Sequence, residues 1–153
     1  MVQVQGLTRG RRHEHLLFIG HRNTPDTVLP ALIQEVERHI AEYGVTDFVV
    51  GHYGHFDTLA AQAVMDAKKR HPSVTLTMLL PYHPAERPIP APEGYDGTFY
   101  PPDMGRVPRR LAIVRANHWM LCRNASQFET HFCYRAAMTS SSLSRMSFAA
   151  QNC

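Results

Sequence analysis

The fold is decided by the stretch Phe48-Val49-Val50-Gly51-His52-Tyr53-Gly54-His55-Phe56-Asp57. A short apolar run ends at a glycine and an alanine-rich segment begins soon after, which is the pattern of a strand, a tight turn and a helix start. A second turn of this kind, Gly20-His21-Arg22, follows the apolar run Leu16-Leu17-Phe18-Ile19. Ligands of open α/β sheets bind beyond the carboxyl ends of parallel strands, so the two turns predict a ligand site suited to a phosphate-bearing molecule.

Strand and helix patterns alternate on both sides of this stretch. Short apolar runs predict strands at residues 16–19, 47–50 and 74–80, and a short fourth strand is expected at 97–100. Helical spacing of apolar residues predicts helices over residues 29–43, 58–70 and 108–120. This order predicts an α/β fold, namely a Rossmann-like, doubly wound, mainly parallel sheet of four or five strands with helices on both faces.

Local signals indicate where these elements begin and end. Pro30 is expected in the first turn of the first helix, where its missing N–H costs nothing, and Gly44 should close that helix. The second helix is expected to turn its alanines, together with Leu59 and Val64, toward the sheet. Five prolines between residues 81 and 94 predict an extended surface loop.

Length and composition indicate one globular domain. The chain has 153 residues, of which 44% are hydrophobic and 19% charged, and no apolar run approaches the ~20 residues of a membrane helix. Residues 16–121 hold ten basic and eleven acidic side chains, so this part lacks the basic stripe typical of a nucleic-acid surface. Residues 1–15 lack the apolar core of a secretory signal, and a cytoplasmic location is therefore expected.

Five motifs follow one another between residues 16 and 121. They are Phe18-Ile19-Gly20-His21-Arg22, the stretch Val50–Asp57, Leu80-Pro81-Tyr82, Tyr95-Asp96 with Tyr100-Pro101, and Arg110-Leu111-Ala112-Ile113 continuing through Asn117 to Met120. Together they resemble the YpsA-like branch of the SLOG superfamily, Rossmann-like proteins related to the DNA-processing protein DprA and to cytokinin-activating phosphoribohydrolases. The resemblance implies a nucleotide or nucleotide-derived ligand over the carboxyl edge of the sheet.

The chain departs from this family at two places. His52 and His55 stand where relatives often carry glycine or a small polar residue, so they could narrow the pocket or add contacts. After Met120 the relatives continue with an acidic pair, an apolar strand and a second small-residue turn, which residues 121–153 do not resemble. The abrupt change suggests, as a hypothesis, a shifted reading frame or a recombined end.

The predicted organisation has three parts. Residues 1–15 are expected to be a basic flexible leader, residues 16–121 a SLOG-like Rossmann domain, and residues 122–153 a weakly specified tail rich in serine. No convincing fifth strand is visible in this tail. All three cysteines, Cys122, Cys133 and Cys153, also lie in it. Their spacings match no zinc pattern, and free thiols are expected.

Ten residues are candidates for ligand binding: Gly20, His21, Arg22, Gly51, His52, Gly54, Phe56, Asp57, Arg110 and Asn117. The glycines end strands and would let the backbone approach a ligand, and Gly54 is the strongest of them. Arg22 is either a phosphate clamp with two parallel hydrogen bonds or a solvated loop arginine. Arg110 and Asn117 share a face of the third predicted helix and could reach the same crevice.

Asp57 allows two interpretations. As a helix cap it would occupy N–H groups that a phosphate needs and would repel the phosphate. In a ligand site it fits better on a ribose hydroxyl or as an acid/base group. His21, His52, His55 and Asp57 could also be assembled into a metal site, but no His-x-x-x-His pair fixes the geometry, so neither a metal nor a cofactor is predicted.

The leading functional interpretation is binding or sensing of a nucleotide-like small molecule, with no membrane or nucleic-acid partner. Whether copies of the chain form a homo-oligomer stays open. The enzyme alternative is hydrolysis of the N-glycosidic bond of a nucleoside monophosphate, with Asp57 as the catalytic carboxylate. Against it, the phosphoribohydrolases carry a Pro-Gly-Gly-x-Gly-Thr-x-x-Glu signature, and this chain has no Gly-Gly pair. A DprA-like role in DNA processing is less favoured because the predicted domain is about neutral.

Overall fold

The computed structural model describes residues 15–122, 132–135 and 148–149. The strands within these ranges form one sheet and are β1 (His15–Ile19), β2 (Asp47–Val50), β3 (Thr75–Leu79), β4 (Gly97–Phe99), β5 (Phe132–Arg135) and β6 (Phe148–Ala149). Their order across the sheet is β4-β3-β2-β1-β5-β6. Neighbouring strands are parallel except for β5 and β6, which are antiparallel.

The chain therefore runs outward from β1 to β4 and then returns to the other side of β1. Such a reversal of strand order is a topological switch point, where loops on the two sides of a strand leave toward opposite faces and a crevice forms between them. The predicted α/β class with a doubly wound, mainly parallel sheet is confirmed.

Helices cover both faces of the sheet. They are α1 (Leu29–Tyr43), α2 (His55–Arg70) and α3 (Ala112–Cys122). Alternate strand residues point to opposite faces, so Leu16 and Phe48 pack with α1 and α2, whereas Leu17 and Val49 pack with the other face, where α3 lies. The two cores are separated by the sheet, and α3 supplies the crossover that returns the chain to β5.

The predicted ends of α1 are confirmed. A short 3-10 helix, Asp26–Val28, leads into it, and Pro30 lies in its first turn. Gly44 adopts a left-handed conformation with φ of 68° and donates its N–H to the Ile40 carbonyl oxygen at 3.2 Å. This is the usual glycine termination of a helix.

Helix α2 begins three residues earlier than predicted, at His55 rather than Thr58. The reason is that Gly54 is the N-cap and Asp57, at the third helical position, reaches back to it. The predicted inward alanines are confirmed, since Ala60, Ala63 and Ala67 are fully buried. Their small side chains let α2 lie close to the sheet and place its first turn at the ends of β1 and β2.

The proline-rich segment 81–94 contains neither helix nor strand, as predicted. Two residues after this segment, Asp96 Oδ2 accepts hydrogen bonds from the Leu76 N–H at 2.7 Å and from Lys68 Nζ at 2.6 Å. The third predicted helix starts later than expected: Arg109–Leu111 form a 3-10 helix and the α-helical part begins at Ala112.

No convincing fifth strand was visible in the sequence after residue 121, although a sheet of four or five strands was expected, and the structure describes one there. Strand β5 pairs with β1 in parallel, with Leu16 opposite Phe132, and the two-residue β6 brings the described sheet to six strands. The sequence of β5, Phe-Cys-Tyr-Arg, is too short and mixed to show a strand pattern. Its position in the sheet depends on pairing with the distant strand β1. The rest of the predicted tail, and the predicted leader apart from His15, lie outside the described residues.

Among the helices in the described ranges, none combines the length and the apolar composition needed to cross a bilayer.

Candidate functional site

A crevice of about 160 Å³ opens at the carboxyl ends of β1, β2 and β3. Helix α3 contributes Ile113 and Ala116 to its wall. The crevice lies beside β1, where the strand order reverses, and this is the place at which open α/β sheets bind ligands. Its polar and glycine lining consists of Gly20, Arg22, Gly51, Tyr53, Gly54, Asp57 and Asn117.

Gly20 is a glycine because the first turn of α2 packs directly onto the end of β1. A Cβ atom at position 20 would lie 2.0 Å from Cγ of Phe56. The Phe56 ring is 1% exposed and contacts the Phe18 ring at a centroid distance of 6.4 Å. Phe56, a predicted ligand-binding residue, is therefore a core residue that supports the crevice and does not line it.

Gly51 makes room for the Asp57 carboxylate. A Cβ atom at position 51 would lie 2.7 Å from Asp57 Oδ2. The same oxygen accepts the Tyr53 N–H at 2.9 Å and the Gly54 N–H at 3.3 Å. Since Gly54 has no side chain to complete a capping box, Asp57 alone caps the turn. Among the described residues, Oδ1 has no hydrogen-bond donor and so is free to accept one from a ligand.

Gly54 lets the two glycine turns dock on one another. A Cβ atom there would lie 3.1 Å from Cα of Arg22, so the close neighbour of Gly54 is the backbone of the first turn. The His55 N–H donates to the Arg22 carbonyl oxygen at 2.9 Å, and His55 Nε2 lies 2.6 Å from Asp26 Oδ1. These contacts bring the Arg22 turn and the Asp57 turn into one crevice.

Burial dominates the electrostatics of the carboxylate. It raises the pKa of Asp57, against the weaker opposing effects of the Tyr53 and Gly54 N–H groups and of His52. The pKa of Tyr95 is also raised, first by burial and then by the negative charge of Asp57. A carboxyl group with a raised pKa in a crevice is suited to accept and donate protons.

The amino end of α2 differs from the expected anion site. The Asp57 carboxylate occupies two N–H groups of the turn and the Arg22 carbonyl oxygen occupies a third, that of His55. The negative charge of Asp57 there would also repel a phosphate. The cation available to an anion is Arg22, whose exposed side chain forms no ion pair with any residue in the described ranges.

The crevice unites six of the ten predicted residues: Gly20, Arg22, Gly51, Gly54, Asp57 and Asn117. The other four are not part of its lining. His21 and His52 are exposed, and His21 Nδ1 accepts the Asn23 N–H at 3.1 Å. Arg110 is exposed in the 3-10 turn that precedes α3, seven residues and so about two helical turns before Asn117.

Sequence reasoning missed Tyr53, Pro81 and Ala116 as lining residues. Tyr53 stands inside the quoted glycine turn, so its place between two candidate residues was a signal that could have been used. Pro81 follows β3 directly, in the same position relative to its strand as Gly20 and Gly51. Ala116 reaches the crevice only because α3 crosses to the opposite face of the sheet.

In the described part of the chain, no group of three or more His, Cys, Asp or Glu side chains could hold a metal ion. Fold and crevice together define an α/β protein with a polar crevice at the carboxyl edge of a parallel sheet. No model of a known protein family matches the chain, and the curated proteins contain no significant match to it.

Proposed function

We propose that this chain binds a nucleotide or a nucleotide-derived ligand in the crevice at the carboxyl edge of the sheet. The observation that carries the proposal is the convergence of Arg22, Asp57 and Asn117 on one crevice at the topological switch point. The resemblance to the YpsA-like branch of the SLOG superfamily supports the same class of ligand.

Each polar side chain has a role suited to its chemistry. The Arg22 guanidinium pairs with a phosphate, because it offers a planar pair of donors and has no carboxylate partner among the described residues. Asp57 accepts a ribose hydroxyl through Oδ1, since its Oδ2 is already bound to two N–H groups. The Asn117 amide donates to and accepts from the remaining polar groups of the sugar or base.

A thermal-shift panel of nucleoside monophosphates and ADP-ribose derivatives tests the proposal. A ligand present at 100 times its dissociation constant stabilises the folded state by ~2.7 kcal/mol. Arg22→Ala should remove the shift. Arg115→Ala, which deletes an exposed arginine on a side of α3 that does not line the crevice, should keep it. The absence of a shift with every member at millimolar concentration would refute nucleotide binding.

A second candidate function is hydrolysis of the N-glycosidic bond of a nucleoside monophosphate. The observation that favours it is the raised pKa of Asp57, because a buried carboxyl can exchange a proton with a water or a leaving group. The test is chromatography of the purified protein incubated with purine and pyrimidine monophosphates. Release of free base and ribose 5-phosphate, lost in a folded Asp57→Asn variant, would establish a hydrolase and replace the binder interpretation.

A further inference from the structure

A second recess of about 120 Å³ lies beyond the crevice, and it is lined by Tyr82, Glu86, Arg87 and Arg109. Three of these residues belong to the loop that follows β3, and Arg109 opens the turn before α3. The recess holds two guanidinium groups and one carboxylate, so its formal charge is positive. None of these four residues lines the crevice of the proposed site.

The two arginines are available to an anion. Arg87 is held over the Tyr82 ring, with its Cζ 5.1 Å from the ring centroid. This contact engages the face of the guanidinium rather than its N–H edge, and the guanidinium also lies near the Tyr53 hydroxyl. The Tyr82 hydroxyl donates to the Arg109 carbonyl oxygen at 3.3 Å, which ties the aromatic ring to the second arginine through its backbone. Neither guanidinium forms an ion pair with a residue of the described ranges.

Tyr53 separates the recess from the crevice. Its ring lines the crevice and meets the Tyr82 ring edge-on at a centroid distance of 5.8 Å. Burial raises the pKa of the Tyr53 hydroxyl, and the nearby Arg87 lowers it to a smaller extent. The hydroxyl oxygen is buried without a hydrogen-bond partner that meets normal geometry among the described residues. Crevice and recess are thus adjacent sides of one aromatic wall.

The size of the crevice indicates that a nucleotide must extend beyond it. At about 160 Å³ it is smaller than the roughly 300 Å³ at which small-molecule sites usually begin. It is large enough for a phosphate or a sugar phosphate. The recess across the Tyr53–Tyr82 wall offers additional volume together with positive charge.

We propose that the recess of Tyr82, Glu86, Arg87 and Arg109 is a second anion subsite of the same ligand site. The ligand is accordingly a nucleotide that carries a second phosphate apart from the one bound by Arg22. This inference rests on the proposed nucleotide binding in the crevice. It adds the chemical class of the ligand, a nucleoside bisphosphate in place of a monophosphate.

Isothermal titration with adenosine 5′-monophosphate and adenosine 3′,5′-bisphosphate tests it, because the two probes share a nucleoside and differ by one phosphate. We expect the bisphosphate to bind at least about tenfold more tightly, a difference of ~1.4 kcal/mol. Arg87→Ala and Arg109→Ala should each reduce that preference to about threefold or less (~0.7 kcal/mol) while the monophosphate affinity changes less than twofold. Arg115→Ala is the matched control and should keep the full preference, and the variants' circular dichroism verifies that they fold.

The possible outcomes separate this inference from the function on which it rests. If the monophosphate binds and the bisphosphate binds no more tightly, the second subsite is wrong and nucleotide binding stands. A preference that survives both Arg87→Ala and Arg109→Ala also overturns the subsite, since the second phosphate must then lie elsewhere. If neither probe binds the wild-type protein, the proposed function itself fails.

Discussion

At the end of β1, the backbone of Gly20 lies against the Phe56 ring with no room for a side chain. A Cβ atom would come within 2.0 to 2.5 Å of three ring atoms, and the ring is enclosed in the core. We expect Gly20→Ala to lower the free energy of unfolding by about 1–3 kcal/mol, the usual cost of overpacking a core. Urea denaturation of the two proteins measures this difference.

Gly105→Ala is the matched control, because a Cβ atom at position 105 would have no neighbour within 4 Å. It should cause no loss and can raise the free energy of unfolding by up to about 1 kcal/mol. In a Phe56→Leu background the cost of Gly20→Ala should shrink, since the ring that opposes the new methyl group is gone. An equal cost in both backgrounds would contradict this contact.

The raised pKa of Asp57 predicts a pH dependence of stability. Its folded pKa lies above its ordinary value of 3.8, so the folded state binds the proton more tightly than the unfolded chain. Stability is therefore lost as the pH rises from about that value through the folded pKa. Asp57→Asn keeps an acceptor for the Tyr53 and Gly54 N–H groups but cannot ionise.

Urea denaturation between pH 4 and pH 7 compares the wild type with Asp57→Asn. The free energy of unfolding of the wild type should fall relative to that of the variant as the pH rises. Titrating groups that do not contact residue 57 contribute equally to both proteins, so their contribution cancels in the difference between the two free energies of unfolding. A wild type that gains stability relative to the variant over this range would show that the carboxylate is stabilised, and the account of Asp57 would be wrong.

At the scale of elements, the site depends on the docking of two turns, one after β1 and one before α2. A Cβ atom at position 54 would lie only 3.1 Å from Arg22 Cα. Gly54→Ala must therefore displace the Arg22 turn by a few tenths of an ångström. We expect a loss of nucleotide affinity of about tenfold, or ~1.4 kcal/mol. The free energy of unfolding should change by less than that, because the displaced turn is exposed.

Titration calorimetry with adenosine 5′-monophosphate measures the affinity of the Gly54→Ala variant. Urea denaturation of the same preparation measures its free energy of unfolding. Gly97→Ala is the control, as a Cβ atom at position 97 meets nothing within 4 Å. Loss of stability without loss of affinity would mean that Gly54 serves packing alone.

At the scale of the whole molecule, stability also depends on the protonation of His39, which is buried in α1. Burial lowers its pKa, and Arg38 adds to this, whereas the Glu35 carbonyl oxygen and the charges of Glu35 and Glu42 oppose it. The unfolded chain therefore binds the proton more tightly than the folded state. Stability should fall as the pH drops below 6.5, the ordinary value.

Replacement by asparagine retains a donor for the Glu35 carbonyl oxygen, which lies 2.8 Å from His39 Nδ1. His39→Asn lowers the overall stability but should flatten the decline between pH 7.5 and pH 5.5. Thermal denaturation across that range gives the slope of stability against pH for the wild type and for the variant. Equal slopes would show that His39 does not titrate differently in the folded state.

Local signals were sufficient to predict most of the fold. Pro30 and Gly44 mark the ends of α1 because their backbone preferences act within a few residues. The positions of the glycines after β1 and β2 predicted where the crevice lies. The sequence did not predict which neighbouring atoms leave no room for a side chain at those glycines. Those atoms belong to Phe56, Asp57 and Arg22, and the contacts of Phe56 and Arg22 join two different turns. A single sequence carries no signal for such pairings.

Long-range contacts also determine other features that have no signal in the sequence. Strand β5 is held by pairing with β1, more than a hundred residues earlier in the chain, and its own four residues show no strand pattern. The Tyr53–Tyr82–Arg87 arrangement joins a turn to a loop that has no regular structure. Proline content predicted that loop correctly but gave no information on which of its side chains face the site.

The central claim is that a nucleotide binds in the crevice between the two glycine turns and α3. It is tested most directly by titrating 15N-labelled protein with adenosine 5′-monophosphate and following the backbone amide resonances. Saturable shifts are expected to concentrate at Gly20, Arg22, Gly51, Gly54 and Asn117, all of which line the crevice. No shift at millimolar ligand, or saturable shifts confined to residues away from the crevice, would contradict the claim.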